Sequence, residues 1–522
     1  MRRDRSTHRW IVAAVGIGLS LSLPVHAEEN TEFVPLKTPE ANVFLPDQEI
    51  TLGIDLGGLP QDPRSPLVYE VSDFFGRKIE DGVVSLVSTG AGRKGQLSLR
   101  VRQPGWFRVT LGVRQGSEAL TLSNHNLTAT TRFLPFAILP ASSAASSTRF
   151  GICEHYLDSR NARLIRLGGF TWLRTDVSWG NVQKEKGQFD WSRLDKIVKL
   201  AQASQIQLLL IVDYTAPWAS TGPLSASAQD RRYYMPRKYP YLWFVKNLVS
   251  RYKPQVRYWE IWNEPNLRSW LSPKTDYAQL LQMSYTEVKR ADPNAVVLMG
   301  GTSGAPVDWV QMLKQEGALA SFDCYNIHPY HYQKPPEGTL SKNLSNFLKG
   351  AAEAARKPTW ITEIGAPTNI VTLEQQASYL VRDAVLSLAA GVAKFFWYEL
   401  ADARLDPNDK EANFGILFSD LTPKPAYVAY AVLTRVLGQA SYLRQLDLRS
   451  SSAYGFAFST PKGAVSVVWT TKDQEPVQVP VGSQPMWVVD LMGGKRSLQP
   501  VNGVESLPLT PNPIYLCEGA CL

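Results

Sequence analysis

The sequence has 522 residues, too many for one ordinary core, so roughly two to four domains are expected. Its 44% hydrophobic and 20% charged content is that of a globular protein, and a formal net charge of +8 is mild for this length. No basic run interleaved with aromatic residues occurs, which argues against nucleic acid as a partner, whereas 15 Trp residues suit flat apolar ligands such as sugar faces.

Taken in order, residues 1–27 read as an export signal. Arg2, Arg3, Arg5 and Arg9 precede an apolar run from Trp10 to Leu23, and Val25-His26-Ala27 places small residues at the two positions that decide cleavage. The run is too short to span a bilayer comfortably, and no later segment reaches that length, so the mature chain is expected in the periplasm or outside the cell without a membrane span. Residues 31–140 have an all-β texture. Leu97, Leu99 and Val101 alternate with Ser98, Arg100 and Arg102, and Phe107–Val113 repeats the pattern after a Pro-Gly turn. A small Ig-like β-sandwich is expected, serving as a packing or spacer module, with sugar binding the alternative. Residues 141–147, Ala-Ser-Ser-Ala-Ala-Ser-Ser, form a linker.

From residue 148 to 438 short apolar strands alternate with helical patterns. Strands are expected at 150–154, 172–176, 207–213, 256–263, 296–299, 324–328, 359–362 and 394–398, with helices such as 194–204, 241–252, 277–291 and 373–390 between them. Eight such units predict a (β/α)8 barrel. A doubly wound open sheet is the alternative, but no Gly-rich phosphate fingerprint opens it. Residues 440–522 return to short alternating runs and predict a second β module against the barrel. Cys153 and Cys324 lie in strand-like runs, as small apolar core residues. Cys517 and Cys521 either close a small loop or remain apart, and none of the four has zinc-type spacing.

The chemistry concentrates at two strand ends. Arg257–Asn266 runs as a buried strand that stops at Asn263-Glu264-Pro265, and Trp360–Gly365 stops at Glu363 before a glycine. By count these are strands 4 and 7, so both carboxyls face the C-terminal rim, where barrel enzymes build their sites. Two converging carboxyls are the minimum apparatus for glycoside hydrolysis. Strict alternation would send Asn263 and Glu264 to opposite faces, so the strand has to break there. The same parity turns Glu260 inward, as a buried partner for an arginine.

These features resemble clan A glycoside hydrolases, and most of all glycoside hydrolase family 39. The residues that carry the resemblance are Trp262-Asn-Glu-Pro-Asn266, Ile327-His-Pro-Tyr330, Trp360-Ile-Thr-Glu363 and Asn413–Leu417 with Lys424–Tyr427, within residues 148–440. The resemblance implies a retaining double displacement with Glu264 as acid/base and Glu363 as nucleophile. It implies that Arg174 supports the nucleophile, Tyr330 donates to it, Asn263 holds the sugar 2-hydroxyl and Trp397 forms a platform under the reacting sugar. Glu264 must then begin the reaction protonated and Glu363 ionised.

Further candidates for substrate contact are His328, as a hydrogen-bonding neighbour of the pair, His155 after strand 1, and Trp179 and Trp218 in the rim loops. Asp176 and Asp213 are strand-end acids that bind hydroxyls or cap loops. No metal and no cofactor are expected. The expected substrate is a poly- or oligosaccharide, with endo action favoured by the export signal and the added β module. The rivals are an exo-acting β-xylosidase-like enzyme and a non-catalytic carbohydrate-binding barrel used in adhesion or polysaccharide assembly.

Overall fold

The computed structural model describes residues 41–55, 67–89, 92–115, 118–121, 133–141, 148–500, 503–519 and 522. The expected export signal, positions 142–147 of the expected linker and Cys521 lie outside the described residues.

Eight parallel strands close into a barrel. They are β1 (Phe150–Cys153), β2 (Trp172–Ser178), β3 (Gln207–Asp213), β4 (Tyr258–Asn263), β5 (Val296–Ser303), β6 (Tyr325–His328), β7 (Thr359–Ile361) and β8 (Lys394–Trp397). Closure is made by β1 against β8, with Phe150 opposite Phe395 and Ile152 opposite Trp397. Each strand feeds a helix: α1 (Ser159–Leu167), α2 (Ser192–Ala203), α3 (Lys238–Tyr252), α4 (Lys274–Ala291), α5 (Val307–Gln315), α6 (Pro336–Ala354), α7 (Leu373–Ala389) and α8 (Pro425–Leu437). The expected barrel is borne out, with strand ends differing by a few residues; β5 runs on to Ser303 and β7 stops at Ile361.

Period-two alternation sorts these strands into two layers. Cys153, Trp172, Leu209, Leu298, Cys324, Trp360 and Phe396 fill the barrel interior, while residues of the opposite parity, such as Leu173, Leu210, Ile261 and Ile361, join the strand–helix core. Both Cys153 and Cys324 are free and buried, as their apolar surroundings foretold. Helix starts are fixed locally. The Asp158 side chain accepts from Asn161 N at 2.8 Å to open α1, and Thr372 with Gln375 forms a reciprocal capping box at α7.

The N-terminal module is a sandwich. A sheet ordered Val43–Phe44, Leu134–Ile138, Gly105–Gln115, Leu67–Asp73, Lys78–Val83, with Glu118–Thr121 off its path, faces a three-stranded sheet of Ile50–Asp55, Gly92–Leu99 and Ser85–Thr89. Leu52, Leu97 and Leu99 from one sheet meet Val71, Val109 and Phe136 from the other. Trp106 reaches out of this module into the main core and donates to Pro423 O at 2.8 Å, just before α8. The C-terminal residues form a six-stranded sheet and a separate two-stranded one. Phe456, Phe458 and Trp469 pack one face into the main core, and a smaller core of Val477, Met486 and Leu507 lies behind. Cys517 is disulfide-bonded. Burying Trp469 completely is worth about 2–3 kcal/mol of transfer free energy, so this module is packed on the barrel rather than tethered to it.

Candidate active site

The expected break in β4 is present in the backbone. Trp262 has φ +73° and Glu264 has φ +46°, both in the left-handed region that costs a non-glycine residue about 1–3 kcal/mol. The first turns the Trp262 indole into the strand–helix core, where it is 1% exposed and donates to Ser269 O at 2.9 Å. The second returns the chain so that Asn263 and Glu264 both face the barrel mouth. Three contacts hold this shape. Glu264 N donates to Gly301 O at 2.9 Å, Ser269 Oγ donates to Glu264 O at 2.6 Å, and Asn266 bridges to Ser303 through both amide ends. Glycines on β5 make room. A side chain at Gly300 would meet the carbonyl oxygens of Ile261 and Trp262, and one at Gly301 would collide with the His328 ring.

Arg174, projecting inward from β2, organises the floor. Its Nε and Nη2 donate to Glu260 Oε2 and Oε1 at 2.7 and 2.8 Å, Nη2 also donates to Asn263 Oδ1 at 2.8 Å, and Nη1 donates to Glu363 Oε1. Glu260 is thus the buried arginine partner that its parity foretold, and it also accepts from Gly301 N at 3.0 Å. Glu363, two residues past β7, accepts at its second oxygen from the Tyr330 hydroxyl at 2.9 Å. Burial pushes the Glu363 carboxyl up, but the His328 and Arg174 charges and the hydrogen bonds from Tyr330 and Arg174 outweigh it and hold the group below its ordinary value. Glu363 is therefore an ionised carboxylate with each oxygen bound to a donor.

His328 joins the two carboxyls. Its Nδ1 lies 3.2 Å from Glu264 Oε1 and 3.5 Å from Glu363 Oε2. Its Nε2 lies 3.0 Å from Thr362 Oγ1, which spends its own proton on Asn326 Oδ1 at 2.7 Å. As placed, Nε2 is the donor to Thr362, and Nδ1 faces both carboxyls. Carboxylate and ring atoms of Glu264, His328 and Glu363 lie within 4.8 Å of one another. Glu264 is the more open of the two carboxyls, at 21% side-chain exposure against 11% for Glu363.

Arg174, Asn263, Glu264, His328, Tyr330 and Glu363 therefore converge. His155 reaches the same rim. Its Nδ1 pairs with Asp176 Oδ2 at 2.5 Å and its ring lies 6.3 Å from Tyr398. The Asp176 charge raises His155 to about 10; Asp176, which burial alone would push up, is drawn by His155 down to about 2. Asp213 is 3% exposed with neither carboxylate oxygen hydrogen-bonded, and burial pushes it well up, so it sits sealed in the floor as a neutral acid.

Two expected contacts are corrected. Trp397 is fully buried in the strand–helix core with its Nε1 unpartnered; parity turns it outward from β8, and Tyr398 faces the mouth instead. Trp179 is 1% exposed and stacks on Phe244 at 5.1 Å, because it opens a short helix that folds back onto α3. Trp218, half-buried, packs edge-on against Trp179 at 5.6 Å and donates to Gln183 O at 2.9 Å.

Sequence reasoning missed Tyr398, Thr362, Gly301 and Glu399. The first was within reach, since counting by two from Phe396 lands on it. Tyr398 packs against Phe414 at 5.3 Å, and a cis peptide bond joins it to Glu399. Glu399 is 3% exposed with Oε1 unpartnered, and burial beside Glu154 pushes it well up.

Residues 242–423 match the family described as "Glycosyl hydrolase catalytic core". A β-xylosidase from Caldicellulosiruptor saccharolyticus is 23% identical over 221 residues, 37% of this chain and 45% of that enzyme, so the match spans less than half of the relative's length. The fold is shared with a family 39 glycoside hydrolase from Bacteroides cellulosilyticus WH2, at TM-score 0.70 and 23% identity over 87% of this chain and 95% of that one. A family 39 enzyme from Xanthomonas axonopodis pv. citri aligns at TM-score 0.54 and 15% identity, over 71% and 93%. The resemblance to clan A glycoside hydrolases, and most to family 39, is thus borne out by the family match and by the fold.

Proposed function

We propose that this protein is an exported retaining glycoside hydrolase acting on a poly- or oligosaccharide. The observation that carries the mechanism is the spacing of the pair. One carboxylate oxygen of Glu264 lies within 4.8 Å of one of Glu363, which supports the close separation of about 5–5.5 Å used for double displacement over the roughly 6.5–9.5 Å used for inversion.

In this reading the Glu363 carboxylate attacks the anomeric carbon while Glu264 gives its proton to the departing glycosidic oxygen. The glycosyl–Glu363 ester is then hydrolysed by a water whose proton returns to Glu264. Arg174 and Tyr330 keep Glu363 ionised before attack and receive its charge again after hydrolysis. Asn263, with its amide oxygen on Arg174 and its side chain hydrogen-bonded to Tyr214, stands at the barrel mouth to hold the neighbouring sugar hydroxyl. The apolar run at residues 10–23 supports export. Xylose-containing glycans are the first substrate class to try, on the name of the relative above, and the added β modules support endo action.

The test is hydrolysis of activated aryl glycosides, β-xylosides first, and of xylan and other polysaccharides. Glu264→Gln and Glu363→Gln are each expected to lose more than about a thousandfold in kcat/KM on substrates with poor leaving groups. Proton NMR of the first-formed sugar reports the anomer. Inversion refutes the assigned roles, glycan binding without turnover supports a binding barrel, and monosaccharide as the sole product supports exo action.

A further inference from the structure

The β6–α6 loop carries Tyr330, whose hydroxyl bonds Glu363, and the next residue, His331, belongs to a buried polar network that the mechanism does not use. His331 Nε2 meets Asp383 Oδ1 at 2.8 Å and its Nδ1 meets Lys334 O at 2.6 Å, with both side chains 1% exposed. Six residues further on, Glu337 in the first turn of α6 accepts from Arg382 through both oxygens at 2.6 Å. Arg382 and Asp383 are neighbours on α7, so one turn of that helix holds both ends of the loop. The network ends outside the barrel: Trp469 Nε1, from the C-terminal module, donates to Glu337 Oε1 at 2.7 Å. Trp469 is itself fixed between parallel-packed Tyr454 and Phe456, at 5.7 and 5.6 Å.

Burying so many polar groups under a loop is costly, the more so because Asp383 Oδ2 has no hydrogen-bond partner, and an apolar contact would have joined the module to α7 more simply. What the network adds is a fixed position for the loop. Tyr332, two residues past Tyr330, has φ +46°, and its ring stacks on Tyr330 at 5.4 Å. The segment is therefore held in a strained shape from both sides of the tyrosine that bonds Glu363.

Building on the glycosidase reading, we infer that His331 and Trp469 are positioning residues: through Asp383, Glu337 and Arg382 they hold the β6–α6 loop so that the Tyr330 hydroxyl stays on Glu363. The C-terminal β module then completes the catalytic apparatus. Truncating it would loosen a hydrogen bond at the nucleophile, not only lower stability. Around His331, Asp383 and Arg382 on α7 and Glu337 on α6 are the charged groups. Burial alone would lower the histidine, and the Asp383 charge reverses that and raises it above its ordinary value.

The test follows the Glu363 carboxyl directly, by carbon-13 NMR or infrared titration assigned through its loss in Glu363→Gln. Tyr330→Phe removes the hydrogen bond and moves the Glu363 titration upward. His331→Gln is expected to move it the same way in the wild-type background and not at all in the Tyr330→Phe background. Trp469→Phe, which deletes one N–H and keeps most of the ring, gives a smaller shift of the same sign and stands in if His331→Gln does not fold. In kinetics the acid limb of kcat/KM moves up with these titrations, and His331→Gln lowers kcat about tenfold with KM little changed. An unmoved Glu363 titration in both His331→Gln and Trp469→Phe overturns the inference, as does an equal shift in the Tyr330→Phe background. Because the titration needs no turnover, a protein that hydrolyses no glycan refutes the function proposed above while this test still reads out.

Discussion

Arg174 is the residue whose loss the structure lets one reckon most directly. It is 3% exposed and its guanidinium serves Glu260, Asn263 and Glu363 at once. Arg174→Met keeps the stem and removes the charge, leaving Glu260 at 0% and Glu363 at 11% side-chain exposure without their shared cation. Breaking a buried pair by removing one partner costs about 3–5 kcal/mol, against a total stability of roughly 5–15 kcal/mol, so the variant is expected to fold with a clearly lower urea midpoint. The sign of the pH dependence follows from Glu363. In the wild type its pKa is depressed, so its contribution is present above the ordinary value of 4.5 and is lost as pH falls through the lower folded value. In the variant burial acts without the guanidinium, the carboxyl moves upward, and the penalty is relieved as pH falls through that raised value. The difference in midpoint between wild type and variant is therefore largest near neutral pH and narrows towards pH 4–5. A loss below about 1 kcal/mol, or one that stays constant between pH 7 and pH 4.5, would refute the reading of Arg174 as the counter-charge of the floor.

The His155–Asp176 pair predicts a different window. A folded His155 near 10 contributes stability that is complete below its ordinary 6.5 and is lost as pH rises through 10, whereas Asp176 near 2 contributes above 3.8 and loses it as pH falls through 2. His155→Gln should therefore differ most from the wild type in melting temperature between about pH 4 and pH 6.5, and the gap should shrink on either side. Gly301→Ala places a methyl group against the His328 ring; the expected outcome is loss of most activity with a fold that still gives a cooperative melt, and unchanged kcat/KM would sink the packing argument. Trp397→Phe removes a buried N–H that has no partner along with part of an indole, so a stability change of about 1 kcal/mol and near-normal kcat/KM are expected. Tyr398→Ala should instead raise KM for glycans, and the opposite pattern in these two variants would restore Trp397 as the sugar platform.

Much of the site was legible because strand ends are written locally. A β-favouring run that stops at Glu264-Pro265 or Glu363-Ile-Gly365 announces both the strand and its end, and the count of eight units places both ends on one rim. The inward turn of Glu260 and the need for a break at Asn263 followed from period two alone, and the positive φ of Trp262 and Glu264 is the form the break takes. Aromatic residues were harder to place. Trp179, Trp218 and Trp397 are large enough to serve either a core or a sugar, and composition does not choose between them. For Trp397 the register of β8 chose, which turns it outward and leaves the mouth to Tyr398.

The sequence by itself determined the barrel and the two carboxyls, since each depends on periodicity or on residues within one strand, while the arginine between them was implied by the family resemblance. Only the tertiary structure decided which donors reach Glu363, that glycines on β5 leave space for His328, and that Trp469 grips a loop 132 positions away in the chain. These depend on contacts between side chains far apart in sequence. Their energies come from burial and from low-dielectric hydrogen bonding, which local pattern does not encode.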